Sequence, residues 1–283
     1  MHWFFHSPLT TKGTQCRSTL TMKTPIIFVS HGAPTLPLEP GATVAAWRAL
    51  GASLAKPRAI LLVSAHWETA APVVSRATHP TTIHDFSGFP AALYQLRYAA
   101  PGAPDLADDV VSLLTQAGIA ASVDVTRGLD HGAWVPLSFL FPDADIPVAQ
   151  LSIQPAQNAA WHFNLGVALQ ALRDKDVLII GSGSITHNLR AVFSHPAELA
   201  APAWVTEFCA WIDEKIQARD FAALCNYRSL APHAAQNHPT DEHLLPLFVA
   251  LGAAGNHAHA ARLNQVMTYG LLAMDAWLWC EAK

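Results

Sequence analysis

Three histidines each follow an apolar run that predicts a buried strand. The runs and their histidines are Ile26–Ser30 with His31, Ile60–Ser64 with His66, and Val177–Ile180 with His187. In an open α/β sheet, ligands bind at the carboxyl ends of the parallel strands. We therefore expect these imidazoles to reach one edge of one sheet. Imidazole is a common metal ligand and a common general acid or base, so the pattern predicts a metal site or an acid–base site.

The elements that must position these histidines alternate along the chain. Apolar runs predict strands at 26–30, 59–64, 93–98, 121–125, 147–153 and 177–181, with a last strand at 265–271. Amphipathic spacing predicts helices at 43–54, 105–117, 158–172, 202–217 and 244–251. Strand and helix in repetition predict one α/β domain with a mostly parallel central sheet flanked by helices. The metal site is expected at the carboxyl ends of its strands.

Composition narrows the class of protein. Of 283 residues, 51% are hydrophobic and 13% are charged, which is enough apolar material for one large core. The net charge of −4 without a basic block argues against nucleic acid or an anionic membrane as partner. No apolar run is long enough to cross a bilayer.

The cysteines and the first residues set further expectations. Cys16, Cys209, Cys225 and Cys280 fit no zinc or disulfide spacing, which predicts reduced thiols in a cytoplasmic protein. Residues 1–21 lack the features of a signal peptide. We expect them to be a poorly ordered extension before Met22, and the domain to span 22–283.

Three further segments carry polar residues that could do chemistry. Asp130-His131 between glycines predicts an active-site turn, or equally a turn with Asp130 as an N-cap. His238 and His243 flank a predicted helix start, at a spacing that is not that of a helical H-E-x-x-H zinc site. Gly181-Ser182-Gly183 lacks the third glycine and the lysine of phosphate loops, and it is not a nucleophile elbow.

Taken in order, these segments resemble the LigB-type, class III extradiol ring-cleavage dioxygenases, and most closely the 4,5-DOPA extradiol dioxygenase branch. The segments that carry the resemblance are 30–34, 64–67, 83–90, 129–137, 181–189 and 238–243. Six blocks in family order are specific, whereas any one of them alone would not be.

The resemblance implies a non-haem metal site and roles for individual residues. It implies metal ligation by His31, His66 and His238; relatives that use two histidines and a glutamate make Glu242 the alternative third ligand. His187 matches the acid–base histidine, and His131 matches a second histidine near the dioxygen and substrate site. His243 is expected to be an outer-sphere residue or an extra ligand. Fe(II) is expected for activity, and Zn(II) is expected to be able to occupy the same site after purification.

The implied reaction opens the ring of a catechol, DOPA-like or another ortho-dihydroxy aromatic, with O2. Trp67 and Tyr269 are candidates for the aromatic wall of the substrate pocket. The alternative is a zinc hydrolase that uses a three-histidine Zn–water site. Expected partners are a small catechol and O2, for a monomer or a homodimer.

Overall fold

Four parallel strands form the centre of an eight-stranded sheet in the computed structural model, which describes residues 23–195 and 199–281. The predicted extension at 1–21 lies outside the described residues. The strands are β1 Ile26–Ser30, β2 Ala59–Glu68, β3 Val73–Ser75, β4 Ser122–Asp124, β5 Val148–Ile153, β6 Val177–Gly183, β7 Ala258–Asn264, β8 Met267–Thr268, β9 Leu272–Ala273 and β10 Ala276–Glu281.

Strand order places the three histidine-bearing strands side by side. The sheet runs β4-β3-β5-β2-β6-β1-β10-β7, and β5, β2, β6 and β1 are parallel neighbours. On one side of these four strands, β10 pairs antiparallel with β1, and β7 pairs antiparallel with β10. On the other side, β3 pairs antiparallel with β5, and β4 pairs parallel with β3. Because β2, β6 and β1 are adjacent and parallel, their carboxyl ends share one edge.

Helices cover both faces of the sheet. They are α1 Ala42–Ser53, α2 Pro104–Gln116, α3 His131–Leu140, α4 Ala159–Ala168, α5 Leu189–Val192, α6 Ala203–Ala218, α7 Phe221–Cys225, α8 Tyr227–Leu230, α9 Ala234–Asn237 and α10 Leu245–Ala254, with 3-10 helices at Ala91–Gln95 and Gln170–Lys175. Within β1, Ile26 and Phe28 join one core cluster and Ile27 and Val29 join the other. Burial on both faces explains the unbroken apolar runs of the central strands.

The predicted fold class is confirmed, with local differences. The five predicted helices form within a few residues of their expected bounds, although 158–172 divides into α4 and a 3-10 helix. The prediction of a strand at 93–98 is wrong, because a 3-10 helix occupies Ala91–Gln95. The last strand predicted at 265–271 is a small β8–β9 hairpin. Helix α3 escaped prediction because it is apolar on every side and contains Pro136.

The glycine pair in β6 has a packing role. A Cβ atom at Gly183 would lie 2.1 Å from the carbonyl oxygen of His243, and one at Gly181 would lie 2.4 Å from that of Pro246. The backbone N–H of Ser184 donates to the His243 carbonyl at 2.7 Å. Glycine therefore lets the start of α10 approach the strand, which brings His243 to the sheet edge.

Candidate metal centre

Three histidines from distant parts of the chain converge at the carboxyl edge of the sheet. His31 directly follows β1, His66 lies near the end of β2, and His243 precedes α10. One ring nitrogen from each lies within 4.8 Å of the others, and the Nε2 atoms of His31 and His66 are 2.9 Å apart. His31 and His243 are almost fully buried.

The Nδ1 atoms of these three rings each face a partner outside the cluster. His31 Nδ1 lies 3.1 Å from Ser182 Oγ, whose hydroxyl donates to the Gly132 carbonyl and therefore accepts from the imidazole. His243 Nδ1 donates to Glu242 Oε1 at 2.9 Å. His66 Nδ1 lies 3.5 Å from Asp85 Oδ2. A proton on Nδ1 leaves the lone pair on Nε2, facing the centre of the cluster.

This arrangement fits a divalent metal ion. Two Nε2 lone pairs that face each other at 2.9 Å repel unless a cation or a proton lies between them. Imidazole nitrogens bind zinc at about 2.0–2.1 Å, so two ligands of one ion lie at most about 4.2 Å apart, and the 2.9 Å pair of His31 and His66 is within that limit. Metal-ligating histidines almost always donate the other ring N–H to an outer partner, and all three rings have one available.

Burial holds these histidines in the form that binds metals. Burial, followed by the neighbouring imidazoles, lowers the pKa of His31 and of His243 well below the ordinary value. Burial and His131 lower the pKa of His66 to about 3, against the opposing effect of Asp85. The rings are therefore neutral at neutral pH, and metal does not have to displace protons from them.

His131 lies beside the cluster and is held by Asp85. It is the first residue of α3, and its ring centroid is 3.9 Å from that of His66. Asp85 Oδ1 accepts the backbone N–H of His131, and Asp85 Oδ2 accepts the Nδ1–H, both at 2.9 Å. Burial raises the pKa of Asp85, but the hydrogen bonds from His131 and its electrostatic attraction outweigh burial and lower this pKa to about 2.

His187 stacks on His243 after the turn that follows β6. The two ring centroids are 3.4 Å apart with the planes 11° from parallel, and His187 Nδ1 lies 3.9 Å from Glu242 Oε1. Burial lowers the pKa of His187 to about 4, although Glu242 opposes this. His187 is thus a neutral imidazole beside the cluster, able to accept a proton.

His238 does not join His31 and His66. Its Nε2 donates to the Ile185 carbonyl at 2.7 Å, and its fully buried ring packs against Phe208 and Tyr227. The position beside the other two rings belongs to His243. The two residues are five apart: His238 directly follows α9, whereas His243 lies just before α10, where the close contact of α10 with β6 brings it to the sheet edge.

A cavity of about 550 Å³ opens from the cluster. Its lining includes the aromatic rings of Phe86, Phe89 and Tyr269 and an imidazole floor of His31, His66, His131, His187 and His243, with His195 as a further lining imidazole. Trp67 is not part of this lining: it is buried, and the Arg127 guanidinium lies 5.0 Å over its ring.

Two polar residues of the site were missed by the sequence predictions. Asp85 and Ser182 hold the outer nitrogens of site histidines. Both lie in segments that carried the family resemblance, which was the available signal.

Comparison with known proteins assigns the family. The family model described as the catalytic LigB subunit of aromatic ring-opening dioxygenase matches residues 25–277. This chain belongs to the LigB family. It is 41% identical to the 4,5-DOPA dioxygenase extradiol of Beta vulgaris, over 86% of this chain and 93% of that one. The Escherichia coli K12 protein of the same name is 42% identical, over 81% and 84% of the two chains.

A solved structure agrees with this assignment. The crystal structure of an uncharacterized protein from Escherichia coli K12 matches with a TM-score of 0.77 and 34% identity. The match covers 90% of this chain and 99% of that one. The predictions of the family and of an extradiol ring-cleavage dioxygenase are confirmed. LigB enzymes depend on a non-haem metal, and this chain has a histidine-rich site for one.

Among the described residues, no helix is long and apolar enough to cross a membrane.

Proposed function

We propose that this LigB enzyme opens the ring of a DOPA-like catechol with O2, using Fe(II) held by His31, His66 and His243. The convergence of three ring nitrogens, with the Nδ1 of each ring facing an outer partner, carries the ligand assignment. It replaces His238 with His243 in the set expected from the sequence, because the Nε2 of His238 is already engaged by a backbone carbonyl.

Three protein ligands leave coordination positions at which Fe(II), when bound, would meet the catechol oxygens and O2 and acidify the catechol hydroxyls. The preference for Fe(II) over Zn(II) as the active metal rests on the redox chemistry of the reaction. Neutral imidazoles also suit Zn(II), so we expect zinc to occupy the site in some preparations without supporting ring opening.

His187 is the proposed proton acceptor for the catechol. Its ring is neutral because burial lowers its pKa to about 4. Its Nδ1 faces Glu242 at 3.9 Å, so a proton taken up at Nε2 creates an imidazolium that this carboxylate stabilises. Positioned proton transfer of this kind contributes roughly 10²–10⁴-fold to a rate.

His131 is the proposed second proton-transfer group. Asp85 engages its Nδ1–H, which leaves Nε2 to exchange a proton with substrate or product. His131 and His187 both line the cavity, so one substrate can contact both rings.

The aromatic walls support a planar aromatic substrate. Phe86, Phe89 and Tyr269 offer ring faces and edges above the imidazole floor, and they exclude water from the reacting atoms. The DOPA-like side chain is proposed because the relatives from Beta vulgaris and Escherichia coli are named for 4,5-DOPA.

Metal reconstitution tests this function. Metal-free protein is loaded with Fe(II) without oxygen, mixed with DOPA or protocatechuate, and then exposed to air. We expect a coloured ring-opened semialdehyde and one O2 consumed per product, with no product from the Zn(II) form. Absence of ring opening across a broad catechol panel, with iron loading verified, would contradict the proposal.

The zinc hydrolase alternative has no observation in its favour. That alternative predicts that the Zn(II) form hydrolyses esters in the same experiment. A cytoplasmic location, supported by cysteines without a disulfide spacing, and a monomeric or homodimeric state are part of the proposal. Size-exclusion chromatography with light scattering measures the oligomeric state.

A further inference from the structure

One carboxylate lies between two of the site histidines. Asp85 Oδ2 is 2.9 Å from His131 Nδ1 and 3.5 Å from His66 Nδ1. Asp85 Oδ1 accepts the backbone N–H of His131 at 2.9 Å. Within the described part of the chain, the hydrogen bonds of this carboxylate go to His131 alone, so it ties no other element of the fold to the site.

The chemistry of a carboxylate fixes what its neighbours present to it. An ionised carboxylate only accepts hydrogen bonds, so the nitrogen that faces it must carry the proton. That puts the proton of His131 on Nδ1 and favours the same form of His66. The Nε2 lone pairs of both rings are then left for the cavity. The backbone hydrogen bond to Oδ1 prevents the carboxylate from rotating away from the two rings.

We propose that Asp85 is a positioning residue that sets the tautomer and orientation of both His66 and His131. Through it, a metal ligand and a proton-transfer histidine share one outer partner. This inference rests on the proposed function, in which His66 binds the metal and His131 moves a proton. Outer partners of metal-bound histidines typically contribute 10–100-fold to metal affinity or activity.

Asp85→Asn tests the inference with almost no change in shape. Oδ2 faces both Nδ1 atoms and Oδ1 accepts the backbone N–H of His131, so an asparagine NH2 group meets an N–H donor in either orientation of the amide. Either the amide turns away from the two rings, or the rings that face its NH2 group rotate or move their protons to Nε2, which removes lone pairs from the cavity. Asp85→Glu retains the carboxylate and is expected to restore part of the loss. The matched control is Asp108→Asn. Asp108 is an exposed aspartate of α2 that pairs with Arg76.

The readouts are the dissociation constant for Zn(II), measured by chelator competition, and histidine tautomers, measured by ¹⁵N NMR. We expect Asp85→Asn to raise the zinc dissociation constant 10–100-fold and to lower kcat of the Fe(II) form by a similar factor. Wild-type His131 should be the Nδ1–H tautomer, assigned by loss of its signal in His131→Ala. The control should match wild type in every measurement.

Two results would overturn the role of Asp85. One is a wild-type His131 that carries its proton on Nε2. The other is a folded Asp85→Asn protein whose zinc affinity stays within twofold of wild type and whose His131 keeps the Nδ1–H form. The tautomer of His131 is also read in metal-free wild-type protein. A failure of wild-type metal binding would therefore contradict the proposed function, while the tautomer still decides the role of Asp85.

Discussion

His243→Ala and His238→Ala should separate metal binding from folding stability at two histidines of one segment. His243 contributes a ring nitrogen to the cluster with His31 and His66. His238 donates to the Ile185 carbonyl at 2.7 Å and packs against Phe208 and Tyr227. The same substitution at the two positions therefore removes a ligand in one protein and a buried structural contact in the other.

The two substitutions are expected to change different quantities: zinc affinity in one protein and folding stability in the other. Zinc sites of four ligands have apparent binding free energies of about 10–16 kcal/mol, or about 2.5–4 kcal/mol for each ligand. Loss of His243 should thus weaken zinc binding by roughly two to three orders of magnitude. Loss of His238 leaves the buried Ile185 carbonyl unpaired, at about 1–3 kcal/mol, and opens a cavity beside two aromatic rings. We expect His238→Ala to lower the free energy of unfolding by about 3 kcal/mol or more.

The assay measures both quantities in both variants. Chelator competition gives the zinc dissociation constant, and urea unfolding of the metal-free proteins gives the free energy of unfolding. His243→Ala should lose metal affinity and keep most of its stability, whereas His238→Ala should do the reverse. The opposite result, with zinc affinity lost in a folded His238→Ala protein and retained in His243→Ala, would refute the ligand assignment.

Three further predictions concern substitutions of single residues. His187→Asn should lower kcat about 10²–10⁴-fold while iron content by elemental analysis stays at the wild-type level; an unchanged kcat would remove His187 from proton transfer. Gly183→Ala should lower the free energy of unfolding, measured in urea, by about 1–3 kcal/mol, because its Cβ would lie 2.1 Å from the His243 carbonyl oxygen. Gly41 is the N-cap of α1 with open space around it, so Gly41→Ala should carry only the smaller cost of a poorer cap, below about 1 kcal/mol. Burial lowers the pKa of His162 from its ordinary 6.5 to about 4, so the unfolded chain takes up a proton first as pH falls from 6.5 towards 4. Because of this ring, the free energy of unfolding should fall over that window by at most about 1.4 kcal/mol per pH unit. In His162→Gln, the pH dependence of the free energy of unfolding, measured in urea between pH 6 and pH 5, should decrease by the equivalent of about one bound proton. An unchanged pH dependence would contradict the prediction.

The sequence predicted the metal site only as far as strand topology could take it. His31 and His66 were predicted to meet because each follows a strand of unbroken apolar residues, and parallel neighbours deliver such positions to one edge. His187 was expected at the same edge, and it lies there, stacked on His243 rather than grouped with His31 and His66.

The third position of the cluster depends on a contact that local spacing does not encode. His238 directly follows α9 and His243 lies just before α10, and from the sequence either could point to the sheet. The choice is made by Gly181 and Gly183, which let this helix approach β6 closely, and by the bond from Ser184 to the His243 carbonyl. Asp85 was missed for a related reason: it lies in a long segment without periodicity, and only tertiary structure places it between two rings.

The most direct test of the account is to locate the metal. Crystals of the Fe(II)-loaded protein, grown without oxygen and soaked with a catechol, are measured at the iron absorption edge. We predict a single iron bound by the Nε2 atoms of His31, His66 and His243, with His187 and His131 beside the catechol and His238 remote from the metal. Iron bound by His238 or His187, or no iron at this edge of the sheet, would contradict the account.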